Sequence, residues 1–243
     1  MRLNELISPD NISVSYRYND RLNPKLWVGA TLRGNVRQQL LTIAEDFREY
    51  LKIPESSVMD VILTGSSANY NWGPASDIDL HLVIDLDHID ANTEYVKEML
   101  DAKRKLWNDE HDVKIHGIDV ECYPQDKEVP LVAGGTFSLT KNKWIHRPIF
   151  KTPDVDEYSA KVKTASFMDA IDSAIDSGDV DKLTALKDKL WAFRQSGLDR
   201  EGEFAPENIA FKTMRNNGYI EKLMHAYSRA YDKQLSLENK EVD

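Results

Sequence analysis

Asp77 and Asp79, spaced as Asp-x-Asp, are the residues of this chain best placed to do chemistry. Alternation along a strand puts both on one face, with Ile78, Leu80 and Leu82 on the other. Two carboxylates so close repel each other, which costs stability unless a cation sits between them. Hard divalent cations, Mg²⁺ above all, choose such oxygen ligands and share them with substrate phosphates. The pair therefore reads as a metal site for phosphoryl chemistry. That chemistry calls for a third acid from a neighbouring strand. Asp119 and Glu121 share one face of the segment His116-Gly117-Ile118-Asp119-Val120-Glu121-Cys122-Tyr123, and spacing leaves both open. His81 falls on the same face as the Asp pair, either as a proton relay or as a histidine hydrogen-bonded at the rim.

The elements that must hold these acids are legible in the periodicity. Apolar positions at Val36, Leu40, Ile43, Ala44, Phe47 and Leu51 predict a helix over 32–51, ended by Pro54. Strands are expected at 58–63, 78–84 and 113–123, the last interrupted in pattern by Gly117. Asn92-Thr93 caps a helix predicted over 94–108. A hairpin is expected around Lys141-Asn142-Lys143. Beyond Pro148 and Pro153 the period is helical, with helices predicted over 156–176, 180–195 (stopped at Gly197) and 207–235. The expected fold class is α/β (α+β): a small mixed β-sheet with flanking helices, then a C-terminal helical bundle. Residues 1–150 are expected to form the catalytic domain and 151–243 the helical one.

Composition narrows the function classes. The chain has 243 residues and a formal charge of −10, which argues against a tight, non-specific grip on long nucleic acid. Nucleotides stay open, because metal ions supply positive charge locally. No apolar run reaches the length of a membrane span, and the N-terminus lacks a signal peptide's features. One cysteine, Cys122, leaves no intramolecular disulfide, so a cytoplasmic setting without membrane contact is expected. On the last predicted helix Lys212, Arg215 and Lys222 share a face. That stripe either holds nucleotide phosphate or is a solvated face balanced by Glu207 and Glu221.

Gly65-Ser66 after an apolar strand, then Asp77-Ile78-Asp79-Leu80, then an acid in a later strand, resembles the polymerase-beta-type nucleotidyltransferase superfamily. The resemblance runs from about residue 32 to 123. The wording of Thr64 to Trp72 and of Ser76 to Leu82 is also similar to nucleotidyltransferase-like proteins of tailed bacteriophages, in which a Val-Glu-aromatic segment carries the third acid. That resemblance favours Glu121 over Asp119. It implies that Gly65 lets the backbone approach a triphosphate and that Ser66, with Ser67, binds phosphate oxygens. It further implies that Asp77, Asp79 and Glu121 hold two Mg²⁺ ions, or Mn²⁺ in their place, for in-line attack of an acceptor hydroxyl on the α-phosphorus of an NTP. No Walker-type Gly-x4-Gly-Lys-[Ser/Thr] motif stands beside the strand. The acceptor stays open among an RNA end, a protein and a small molecule. The rivals are a toxin-type or phage-encoded transferase acting on tRNA or a host protein, and a non-catalytic nucleotide-binding module of the same fold.

Overall fold

The computed structural model describes residues 7–14, 16–74, 76–90, 92–131, 134–150 and 152–236. They form two compact units: Arg17–Thr152, and the described residues of Met1–Tyr16 with those of Pro153–Asp243.

In the first unit a short hairpin, β1 (Trp27–Val28) and β2 (Thr31–Leu32), precedes helix α1 (Gly34–Leu51). Then come β3 (Val58–Thr64), β4 (Ile78–Ile84), helix α2 (Thr93–Glu110), β5 (Lys114–Ile115), β6 (Ile118–Asp126), β7 (Thr136–Ser138) and β8 (Lys143–His146). The sheet order is β5-β6-β4-β3-β7-β8. β4 runs antiparallel to β3 and parallel to β6, and α2 makes the crossover between the parallel pair. The helices expected over 32–51 and 94–108 and the strands expected over 58–63 and 78–84 form to within two residues, and the hairpin around Asn142 forms as β7–β8.

The even positions of β4, Ile78, Leu80, Leu82 and Ile84, are buried in one apolar core with Val36, Leu40, Ala44 and Phe47 of α1 and Leu100 of α2. Cys122 belongs to this core, and burial pushes its thiol up to about 12. The odd positions, Asp79, His81 and Val83, stay partly exposed on the other face. One side of β4 thus anchors the strand and the other is left for polar work.

The segment expected as a single third strand is a hairpin. His116 and Gly117 both take positive φ (51° and 76°), as a two-residue hairpin turn requires, so the chain reverses there and β5 pairs back on β6.

The second unit is helical: α3 (Glu157–Ser177), α4 (Val180–Glu201), α5 (Pro206–Asn216) and α6 (Tyr219–Leu235). Asp156 caps α3 through Ser159 N–H, and Gly178 ends it with a left-handed φ of 61°. Two expectations are corrected here. Gly197 does not stop α4; it lies within it, where a Cβ would come 2.6 Å from Cβ of Glu207. Its function is close helix packing. The long helix over 207–235 is two, broken at Asn217 and Gly218, whose φ of 75° ends helical geometry. Lys222 consequently stands on a different helix from Lys212 and Arg215, and it pairs with Asp172. The three-residue basic stripe does not form. Among the described residues no helix is long and apolar enough to cross a membrane.

Candidate active site

Strand register assembles the acids. Asp79 of β4 pairs with Thr64 of β3 on one side and with Glu121 of β6 on the other. Neighbouring strands run about 5 Å apart, so Asp79 and Glu121 stand side by side on the face away from the core. Asp77 lies two residues upstream, at the entry to β4.

Gly65 follows β3 with φ 69° and ψ −155°, a conformation that only glycine adopts without strain. A Cβ built there would lie 1.8 Å from Oδ2 of Asp79. The bend and the carboxylate therefore touch, and the Gly-Ser signature and the Asp-x-Asp signature are one structural object.

Hydroxyls tie the bend to the acidic strand. Ser66 Oγ donates to Ser76 Oγ (2.9 Å), which also accepts the Gly73 N–H (2.9 Å). Ser67 Oγ donates to the Asp77 carbonyl at 2.5 Å, and Ser67 is fully buried. The Ser67 hydroxyl, expected at phosphate, is turned into the protein, where it sets the position of Asp77. Ser66, partly exposed, keeps its place at the bend. Around it, Trp27 Nε1 donates to the Ser67 carbonyl, and Asn19 Nδ2 donates to the carbonyls of Tyr70 and Trp72.

Two residues at this site carry no motif and escape sequence reasoning. Arg17 lies against Gly73, where a Cβ would approach its Cδ to 2.9 Å. The arginine is exposed and makes no hydrogen bond or ion pair with the described residues. Its only sequence signal is a lone cation among Tyr16, Tyr18 and Asn19. The second is Tyr123, whose hydroxyl donates to the Glu121 carboxylate. Burial, that hydrogen bond, and the charges of Glu121, Asp79 and Asp77 together push the Tyr123 phenol far above its ordinary value. One phenol thus feels all three acids, and it stays protonated and donating. Period two places Tyr123 beyond Glu121 on the same face, but nothing in its type marks it as a partner.

His81 stacks on Tyr123, with ring centroids 4.9 Å apart. Its Nδ1 lies 2.6 Å from the Gln125 side-chain oxygen, so the ring donates there. Burial pulls this imidazole below its ordinary range, the Gln125 bond partly opposing it, which keeps the ring neutral at pH 7. Asp119 stands apart. It pairs with Lys114 across the β5–β6 hairpin and its side chain is 62% exposed. Lys212 and Arg215 belong to α5 of the helical unit, where Lys212 lies 3.7 Å from Glu203 and Arg215 is exposed.

Among the described residues no three Asp, Glu, His or Cys side chains close into a cation cage. Glu121 is instead turned onto Tyr123. In kind the donors fit a hard cation nonetheless: carboxylate oxygens only, two of them adjacent in register, with mutual repulsion for a cation to relieve. Register also separates the two candidates for third acid. Should this site carry metal-dependent transfer, Glu121→Gln is expected to lower it at least about thirtyfold, in the range seen for displaced metal partners, and Asp119→Asn to leave it within twofold or so. Equal losses in both variants would show that register does not select the acid.

Residues 42–137 match the model of the nucleotidyltransferase domain. No curated protein matches the sequence. Among solved structures, spectinomycin adenyltransferase AAD(9) from Enterococcus faecialis, crystallised with ATP and spectinomycin, aligns over 84% of this chain and 92% of its own at 14% identity and a TM-score of 0.27. A similarity that loose carries no weight for fold or substrate.

Proposed function

We propose that this chain is a nucleotidyltransferase, moving an NMP from an NTP to an acceptor hydroxyl with release of pyrophosphate. The observation that carries the reading is the contact of Gly65 with the Asp79 carboxylate beside Glu121, inside the segment that matches the nucleotidyltransferase domain. Gly65 leaves room for the Asp79 carboxylate at the bend, where any side chain would intrude. Ser66, partly exposed at the bend, turns its hydroxyl from Ser76 to a phosphate oxygen when nucleotide binds, and Ser67 fixes the strand entry that carries Asp77. Asp77, Asp79 and Glu121 are the residues to hold divalent cations, Mg²⁺ or Mn²⁺. Bound there, the cations supply positive charge at the phosphates and acidify the attacking hydroxyl.

The remaining work falls to the chain itself. The acceptor oxygen attacks the α-phosphorus in line, the bond to the pyrophosphate oxygen breaks, and the hydroxyl proton passes to the Glu121 carboxylate. Tyr123 orients that carboxylate through its hydroxyl. Arg17 is the cation for the β- and γ-phosphates, because it lies along the Gly73, Ser76 and Ser66 hydrogen-bond chain. Lys212 and Arg215 belong to the helical unit, where Lys212 already faces Glu203, so the phosphates are assigned to Arg17.

The test is incubation of the full chain with each α-labelled NTP, Mg²⁺ or Mn²⁺, and bulk RNA, lysate protein or a small-molecule extract. Label is expected in one acceptor class with stoichiometric pyrophosphate. Label in tRNA or in a host protein identifies the toxin-type branch of the same chemistry. Nucleotide bound with no transfer anywhere overturns the reading in favour of a binding module. Arg17→Ala is expected to weaken ATP binding about tenfold or more, the worth of a charge-assisted hydrogen bond, and to leave AMP binding unchanged. Calorimetric titration checks it, and equal losses for ATP and AMP would remove Arg17 from the phosphates.

A further inference from the structure

Helix α2 carries two apolar faces. Val96, Leu100 and Trp107 are buried and hold it to the first unit's core. Tyr95 (64% exposed), Met99 (39%) and Leu106 (50%) face solvent, with exposed Ala102 among them. At about 100° per residue these four fall within roughly 60° of one another, and about 110° away from the buried face. Their spacing of four, three and four residues is that of a heptad seam, whereas chance surface hydrophobes scatter singly.

The seam ends on polar residues that complement each other. Asn92 stands one heptad before Met99, and Asp109 one heptad after Ala102. A second copy turned antiparallel about an axis between Met99 and Ala102 sets Met99 on Ala102, Tyr95 on Leu106 and Asn92 on Asp109. Asn92 Oδ1 accepts the Tyr95 N–H of its own helix, which leaves Nδ2 to donate to the opposite Asp109. That carboxylate also meets the positive end of the facing helix. On the solvent flank of the seam, Glu98 meets Lys105 of the second copy, and the axis repeats the ion pair. Lys105 bonds Asp101 on its own helix and has further N–H groups to give. A parallel pair would instead oppose Asp109 to Asp109 and turn Glu98 to Lys103, which already donates to the Tyr50 and Leu51 carbonyls.

We propose that the exposed face of α2 is a self-association surface, packed antiparallel against α2 of a second copy in a twofold dimer. The face is complementary to itself under that rotation in every layer and along its charged flank, as a twofold interface requires. A different protein would have to reproduce the same pattern; a second copy supplies it. The seam from Tyr95 to Leu106 runs only about 16 Å, so the contact is small and the dimer exchanges with monomer.

The test is analytical ultracentrifugation of the full chain from about 5 µM to about 1 mM, at roughly physiological salt. The expected result is a monomer–dimer equilibrium with a midpoint on the order of 100 µM, as for small transient contacts. Leu106→Lys should weaken association at least about tenfold, with the melting temperature nearly unchanged, as for other surface substitutions. Glu98→Lys should weaken it about threefold or more, because it sets two lysines against each other at both ends of the seam. Adding Lys105→Glu to Glu98→Lys should restore it, which a parallel pair or a non-specific apolar contact would not do. A monomer over the whole range overturns the proposal and leaves the stripe to a different protein. Association that Leu106→Lys leaves intact overturns it too, by placing the contact elsewhere. A double variant no stronger than Glu98→Lys alone overturns the antiparallel pairing.

Discussion

Asp79→Asn is expected to reduce nucleotidyl transfer at least about a thousandfold, equivalent to about 4 kcal/mol of transition-state stabilisation. The substitution keeps the volume of the side chain and removes its charge. That charge sits against Gly65, between Thr64 and Glu121, so its loss empties the centre of the acidic group and leaves the strand in place. Asp77→Asn should act in the same direction. In both variants the melting temperature should stay or rise, since the carboxylates that together act on Tyr123 repel one another less. Transfer assays and thermal unfolding on the same preparation check the pair of outcomes. Full turnover in either variant would refute the assignment, and a steep fall in melting temperature would mark these acids as structural.

Gly65→Ala is expected to damage both fold and transfer. The backbone at φ 69° and ψ −155° costs a residue with a Cβ about 1–3 kcal/mol, which lowers the melting temperature by about 2–12 °C. The new Cβ also meets the Asp79 carboxyl at 1.8 Å to Oδ2 and 2.8 Å to Cγ, so the carboxylate must turn away. Transfer should fall at least about a hundredfold, measured well below the new melting temperature. A double variant separates the two causes. In an Asp79→Ala background, Gly65→Ala should cost less stability, because only the backbone strain remains. Strict additivity would show that the carboxylate does not lie against Gly65.

Much of this site was legible in the sequence because the signals are local. Period two along β4 assigned Asp79 and His81 to one face and Leu80 and Leu82 to the core, as found. The apolar stripes of α1 and α2 named the helices beneath that core. What escaped depends on contacts between distant segments. Asp119 and Glu121 are equivalent by period; the β5–β6 hairpin turns Asp119 toward Lys114, and the parallel register with β4 brings Glu121 beside Asp79. The stretch before residue 32 shows no period, yet Asn19 and Trp27 brace the bend and Arg17 lies across it. In the helical unit Gly197 looked like a stop because glycine is poor in helices, but Glu207 packs where its side chain would be. Ser67, beside Ser66 in the motif, differs only in the direction of its hydroxyl, which no spacing records.

Asp79 and Glu121 are neighbours across a parallel strand pair, and such a pair exists only after α2 has crossed over and docked. A nascent or partly denatured copy holds the acids on separate lengths of chain, at a low effective concentration of one for the other. Competence for chemistry is thereby conditional on completing the slowest kind of strand pairing in the sheet. Immature molecules carry the Asp-x-Asp without its counterpart.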